Sequence, residues 1–338
     1  MTPTLKIGQA LKGAKDTYFV VKQLHDNVWS AISTNRTGVV VKSAPKSRLH
    51  REQEILRRFQ DHPCIRQLVD NVNDPPYLVL ERLESDALKA SSEARLARSD
   101  IKLIAKNILE ALKSLHEEGI AHTDVKPDNI LLNFSNDGAR VVDAKLADCG
   151  KEPDISTSLA ADLCKGFAGD AWHVGHDVDP KWEGHIIGAA IFRSPEAMLQ
   201  MRWATPTDIW SFGATLISLI WGKNWHIFKP TQVSADDEEY PIHVLIQQAR
   251  YFGPFPLSYE DVVDAEQNRI LAAILFYIEE QNLRKPFSML QDAEVTKDDK
   301  EFICKLMKMD PRDRPTAKQL LAENWFKMPS LLLRLYPN

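Results

Sequence analysis

The segment His122-Thr123-Asp124-Val125-Lys126-Pro127-Asp128-Asn129-Ile130-Leu131-Leu132 decides how this chain is read. A carboxylate at Asp124, an ammonium at Lys126, a turn-setting proline at Pro127 and a carboxamide at Asn129 lead into an apolar run that reads as a short strand. From one rigid loop these groups can share a phosphate. The acid orients a hydroxyl nucleophile, the lysine neutralises moving phosphate charge, and the amide oxygen holds a hard divalent cation. His122 is expected to be buried and to brace the loop by hydrogen bonds rather than to act as a base.

Outward from this segment, 338 residues with 44% hydrophobic content suffice for one large or two small domains with a proper core. The net charge of -5 is spread over interspersed acids and bases, so there is no basic block of the kind that marks a nucleic-acid partner. Cys64, Cys149, Cys164 and Cys304 are too scattered for a zinc pattern or a dense disulfide framework, which points to a reducing, intracellular setting. The first residues lack a signal-peptide pattern, and the apolar stretch Phe212 to Trp221 is too short to span a bilayer. A soluble protein of cytoplasm or nucleus, without a membrane partner, is expected. No internal repeat is visible.

Upstream, the β-branched and aromatic runs Thr17 to Leu24, Val28 to Ser33 and Gly38 to Lys42 are separated by turn-formers and read as an antiparallel sheet. Lys46 to Phe59 reads as a helix. At 100° per residue, Leu49, Leu56 and Phe59 share one stripe with Glu52 in its middle, while Glu54 points almost oppositely. A carboxylate on a buried face needs a cation, and Lys42 is the natural candidate. Another strand is expected to reach Asp70, and Tyr77 to Leu80 a further one. Downstream, Ser99 or Asp100 caps a strong amphipathic helix that runs to about His116 and delivers the chain into the opening segment. Val141 to Asp148 is strand-like and ends in Asp148-Cys149-Gly150.

The opening segment resembles the catalytic loop of eukaryotic protein kinases, with Thr123 where arginine is usual, and its His-Thr-Asp form is similar to that of SR-protein kinases. Asp148-Cys149-Gly150 resembles the family's Asp-Phe-Gly, and Ser194-Pro195-Glu196 its Ala-Pro-Glu. Asp208-Ile209-Trp210-Ser211-Phe212-Gly213 resembles its Asp-x-Trp-Ser-x-Gly. Arg193 and the stretch His243 to Pro256 resemble the CMGC group, to which SR-protein kinases belong. Over residues 17 to about 327 the resemblance implies an α+β, bilobal protein-kinase fold. A small antiparallel lobe with one regulatory helix extends to about 83, and a mainly helical lobe with an insert near 229 to 300 follows. An N-terminal extension (1 to 16) and a C-terminal tail (328 to 338) flank the domain.

What the resemblance implies for the site is specific. Lys42, positioned by Glu52, would hold the α- and β-phosphates of ATP, and Asn129 and Asp148 would bind Mg²⁺. Asp124 would address the hydroxyl of a protein substrate, Lys126 would stabilise the transferred phosphoryl, and that lysine favours serine or threonine as acceptor. Backbone groups of Glu81 and Leu83 would meet adenine between walls of Val28, Val40 and Leu131. Asp86 is either a ribose contact or a solvated loop acid. Asp208 would brace the catalytic loop, and Arg314 would pair with Glu196.

Four departures bear on activity. The positions of the phosphate-covering glycines are Val21, Gln23 and Asp26, which deny backbone amides a close approach to phosphate. Cys149 weakens the packing that phenylalanine would give. Ala189 replaces the threonine that braces Asp124 and Lys126. With Thr123 in place of arginine and only Ser156, Thr157 and Ser158 as hydroxyls between the two motifs, activation by loop phosphorylation is not expected. His173, His176, Asp177, Asp179 and His185 crowd the same segment but fit no standard zinc spacing. The leading expectation is an ATP- and Mg²⁺-dependent serine/threonine kinase. The alternative is a pseudokinase scaffold, and a small-molecule phosphotransferase is disfavoured by the Ser-Pro-Glu, Asp-Ile-Trp and Arg-Asp-Arg-Pro elements.

Overall fold

The structure, a computed structural model, describes residues 5–149, 187–201, 203–261, 263–291 and 295–327. Gly150, Cys164, the hydroxyls Ser156 to Ser158, the histidine and aspartate cluster from His173 to His185, and the tail from 328 lie outside the described residues.

Alternating apolar residues build the first lobe. Strands β1 (Ala10–Lys12), β2 (Thr17–His25), β3 (Val28–Ser33), β4 (Gly38–Lys42), β5 (Leu68–Asn73) and β6 (Pro76–Glu81) form one antiparallel sheet in the order β1-β2-β3-β4-β6-β5. Successive side chains face opposite sides of a strand. Val39 and Val41 therefore join Tyr18, Trp29 and Val79 in an outer cluster, while Val40 and Leu80 face the main core. Helix α1 (Lys46–Arg58) packs on that inner face through Leu49, Glu52 and Leu56, the expected stripe, and leaves Glu54 exposed.

The segment before Thr17 is part of this lobe. The buried Asp70 carboxylate accepts bonds from Lys15 N (2.8 Å) and Tyr18 Oη (3.0 Å), and Leu5 and Leu11 are buried. A Cβ at Gly13 would stand 2.3 Å from Asp70 Oδ2, so only glycine lets the chain pass. The sheet thus begins at β1, inside the stretch read as an extension.

The second lobe follows a short connection. It carries a small sheet of β7 (Ser85–Asp86), β8 (Ile130–Phe134) and β9 (Val141–Leu146), with helices α2 (Ala87–Glu93) and α3 (Arg98–Glu117). Next come α4 (Pro195–Met198), α5 (Pro206–Trp221), α6 (Tyr240–Phe252), α7 (Ala265–Glu280), α8 (Lys297–Leu306) and α9 (Ala317–Leu321). Helix α3 starts at Arg98, ahead of the expected caps. Arg140 draws Asp100 (2.8 Å) and Ser99 (2.6 Å) toward β9 instead, and neither side chain caps the helix. Among the described residues no helix is long and apolar enough to cross a membrane.

Helix α5 is buried along nearly its whole length and is the axis of this lobe. A Cβ at Gly213 would lie 2.2 Å from Met307 Sδ, so this glycine sets the closeness of α5 to α8. Trp210 stacks on Phe228 at 5.7 Å, and the Arg314 guanidinium lies 5.1 Å from the Trp210 ring centre. The same guanidinium grips Glu196 in two bonds of 2.6 and 2.8 Å, with both side chains almost fully excluded from water.

Removing one partner of such a buried pair strands the other charge. Glu196→Ala is expected to cost about 3–5 kcal/mol in urea unfolding. Lys305→Ala, which breaks the exposed Lys305–Glu323 pair, should cost under about 1 kcal/mol. Equal costs would contradict the central place given to the Glu196–Arg314 pair.

Candidate active site

The catalytic loop is held from beneath. Asp208, in the first turn of α5 and fully buried, accepts from His122 N (2.7 Å), Thr123 N (2.8 Å) and the His116 ring (2.9 Å). His122 braces the loop in a second direction, with Nε2 2.9 Å from the Ala147 carbonyl and Nδ1 3.3 Å from the Asp124 amide. The Asn129 amide nitrogen donates to Asp124 O (2.8 Å) and Asp124 Oδ2 (3.0 Å), and the Ala147 amide donates to Asn129 O (2.9 Å). These bonds bring Asp124, Asn129 and the Asp148 segment together.

Lys126 lies 3.5 Å from Asp124 Oδ2 and 3.1 Å from Asp128 Oδ2. Burial works against its charge, but the two carboxylates outweigh burial and push the ammonium above its ordinary value. The returning chain passes close by: a Cβ at Gly188, whose φ is +59°, would sit 2.8 Å from the Thr123 carbonyl. Arg193 fixes that strand through the carbonyls of Ile187 (2.6 Å) and Gly188 (2.9 Å). Ala189, half-buried, packs against the core at this point.

In the first lobe Lys42 pairs with Glu52 at 2.7 Å, the partner chosen on helix-face grounds, and also contacts Asp148. Arg48 on α1 reaches Asp148 at 3.4 Å. Burial opposes ionisation of Asp148, yet Lys42 and then Arg48 overcome it and hold the carboxyl at about 2. Cys149 is buried in the core, and burial followed by the fields of Glu52 and Asp148 pushes its thiol far up, so it is a packing residue rather than a nucleophile.

Three of the sequence-assigned positions take a different form. Val21, Gln23 and Asp26 do not line a loop: Val21 and Gln23 lie within β2, and His25 pairs directly with Val28 across a turn of two residues, Asp26 and Asn27. Asn27 adopts φ 60°, as a tight hairpin demands. All three side chains are exposed, and Gln23 Nε2 is turned onto His25 O (3.2 Å). These positions form a tight hairpin without glycine. Asp86 is the N-cap of α2, accepting from Lys89 N at 2.8 Å, so one carboxylate oxygen is committed to the fold.

The residues expected as apolar walls lie in strands of the two sheets. Val28 pairs with Lys42 and Val40 with Leu80 in register, and Leu131 lies between Asp86 and Lys145 in the small sheet. The connection carrying Glu81 and Leu83 is tied down by contacts that the sequence did not disclose. Lys145 reaches both Glu81 carboxylate oxygens (2.7 and 3.0 Å), and Arg66 Nε donates to the Glu81 carbonyl (2.9 Å). Leu83, half-buried, precedes Glu84, whose amide bonds Leu132 O at 3.1 Å. Arg66 follows His62-Pro63-Cys64-Ile65 in a run read as strand, where alternation alone does not reveal which side a residue faces.

The donor set suits magnesium. Asp148 supplies a carboxylate, and the Asn129 amide nitrogen is spent on Asp124, which turns its oxygen outward as a hard ligand. Among the described residues no group of three or more His, Cys, Asp or Glu could hold a metal.

A chain of the crystal structure of the yeast RNA Pol II CTD kinase CTDK-1 complex is similar in fold, with a TM-score of 0.67, 18% sequence identity and 97% of each chain covered. The model of the protein kinase domain family matches residues 8–326. Its span takes in β1, both lobes and every motif that meets in the cleft, and the chain belongs to that family.

Proposed function

We propose that this protein kinase transfers the γ-phosphoryl of a magnesium nucleoside triphosphate, ATP in the family's general usage, to a serine or threonine hydroxyl of a protein. The observation that carries the reading is the closed Lys42–Glu52 pair at 2.7 Å, set over a catalytic loop already locked by Asp208. Asp124 would accept hydrogen bonding from the acceptor hydroxyl, and Lys126 would meet the phosphoryl oxygens as charge moves toward the leaving group. Asn129 and Asp148 would hold Mg²⁺, which when bound neutralises phosphate charge. Phosphorylation of the segment after Asp148 is not required in this reading, because Thr123 cannot grip a phosphate as arginine would. SR-protein kinases and the wider CMGC group remain the relatives suggested by the His-Thr-Asp and Arg193 motifs.

A second reading, a nucleotide-responsive scaffold with little turnover, is favoured by the glycine-free hairpin between β2 and β3, where no glycine lets a backbone amide come close to phosphate.

Asp124→Asn is expected to lower turnover by about 10²-fold or more while leaving magnesium-nucleotide affinity within about twofold, read by peptide-array phosphotransfer beside calorimetry. Retained turnover would remove Asp124 from its role. Glu52→Gln should impair turnover at least about tenfold more than Glu54→Gln, since one carboxylate is buried on Lys42 and the other lies in solvent. Equal losses would dissolve the link between the α1 pair and nucleotide placement.

A further inference from the structure

The base end of the cleft carries a charged donor. Arg66 Nε donates to the Glu81 carbonyl at 2.9 Å, which puts a guanidinium beside that carbonyl and leaves it one lone pair for a ligand. The rest of Glu81 is fixed too: its amide donates to Gln67 O at 3.0 Å, and its carboxylate is forked onto Lys145. The carbonyl therefore cannot turn away from Arg66.

Arg66 enters from the inner side. Its own amide is bonded to Leu146 O at 2.9 Å, two residues before Asp148. Burial lowers the pKa of the guanidinium, and the opposing fields come from Glu52, Glu81 and Asp148, the carboxylates of the phosphate and base ends. Passing outward along the edge, a purine would meet the Arg66 donors, then the Glu81 carbonyl, then the backbone of Leu83. A guanidinium offers only donors. Against the 6-amino group this sets donor against donor. A 6-oxo purine reverses the match, since its O6 accepts from Arg66 and its N1–H donates to the remaining lone pair of the Glu81 carbonyl.

We propose that Arg66 is a specificity-determining residue that turns the base site of this kinase toward 6-oxopurine nucleoside triphosphates, of the inosine and guanosine type, and away from ATP. This rests on the reading of the cleft as a nucleotide site and changes only which base is taken. Phosphate and metal contacts are common to all three nucleotides, so they cancel in the comparison.

The test is binding of magnesium ATP and magnesium ITP to the full chain, by calorimetry with thermal shift as a second readout, in wild type and in Arg66→Met and Arg66→Val. ITP differs from ATP only at the edge in question. One hydrogen bond to a charged donor predicts about 10-fold tighter binding of ITP by the wild type. Both variants should lose that preference and bind ATP more tightly than the wild type does. Unfolding curves without nucleotide identify a variant that fails to fold, in which case the other variant decides. Equal affinity of the wild type for the two nucleotides, binding of neither, or a ratio unchanged in a folded variant overturns the assignment. Absence of phosphotransfer from either nucleotide, with the ratio shifting as stated, would sink the proposed reaction and leave the role of Arg66 standing.

Discussion

The Asp208 carboxylate is the constraint on which the site depends. It lies in the first turn of α5, where the helix amides favour negative charge, and is fully buried beneath the catalytic loop. Two of the bonds it accepts come from successive backbone amides, those of His122 and Thr123. Thr123 is β-branched and holds φ at 69°, a left-handed conformation that costs such a residue on the order of 1–3 kcal/mol. Charge-assisted bonds of 2.7 and 2.8 Å offset that cost. The kink they preserve brings Asp124 and Lys126 to the same side as Asn129. Since α5 is itself the buried axis of the second lobe, the precision of the catalytic loop is inherited from the core rather than from the loop's own sequence.

The other half of the site is a matter of charge rather than backbone. Lys42 and Arg48 converge on Asp148, Lys42 also on Glu52, and Lys145 and Arg66 converge on Glu81. Lys42, Arg48, Lys145 and Arg66 thus lie among Glu52, Glu81 and Asp148. Lys42, Glu52 and Asp148 stand where the sequence placed them, while Arg66 and Lys145 are the charges that it did not disclose.

Much of this was legible in the sequence, for identifiable reasons. Glu52 could be chosen over Glu54 because a helix period of 3.6 residues gives each position a definite face. The order of Asp124, Asn129, Asp148, Glu196 and Asp208 is carried by short motifs that survive without any model of packing. Val21, Gln23 and Asp26 keep the spacing of the family's pattern but not its glycines, so counting finds the positions without revealing their conformation. The run from Thr17 to Ser33 contains Asp26-Asn27, a turn pair, and the hairpin closes there with Asn27 at φ 60°. The role of residues 5–16 was hidden because its cause is a contact with Asp70, more than fifty residues away. Arg66 and Lys145 were missed for a related reason. Each is an ordinary charged residue in a strand-like run, and only tertiary placement turns both toward Glu81.

The loss of the glycine loop and the gain of Arg66 belong to one argument. Backbone amides at a phosphate bind any nucleotide alike, because they do not touch the base. Where β2 and β3 close through Asp26 and Asn27 without glycine, that indiscriminate contribution would shrink, and affinity for a nucleotide would rest more on side-chain charge and the base edge. A larger share of the binding energy then falls on Glu81, Leu83 and whatever stands beside them, so a single donor at 2.9 Å from the Glu81 carbonyl weighs more here than it would under a full phosphate cradle. Lys42 and Asp148 are held in place by their bonds to Glu52 and Arg48.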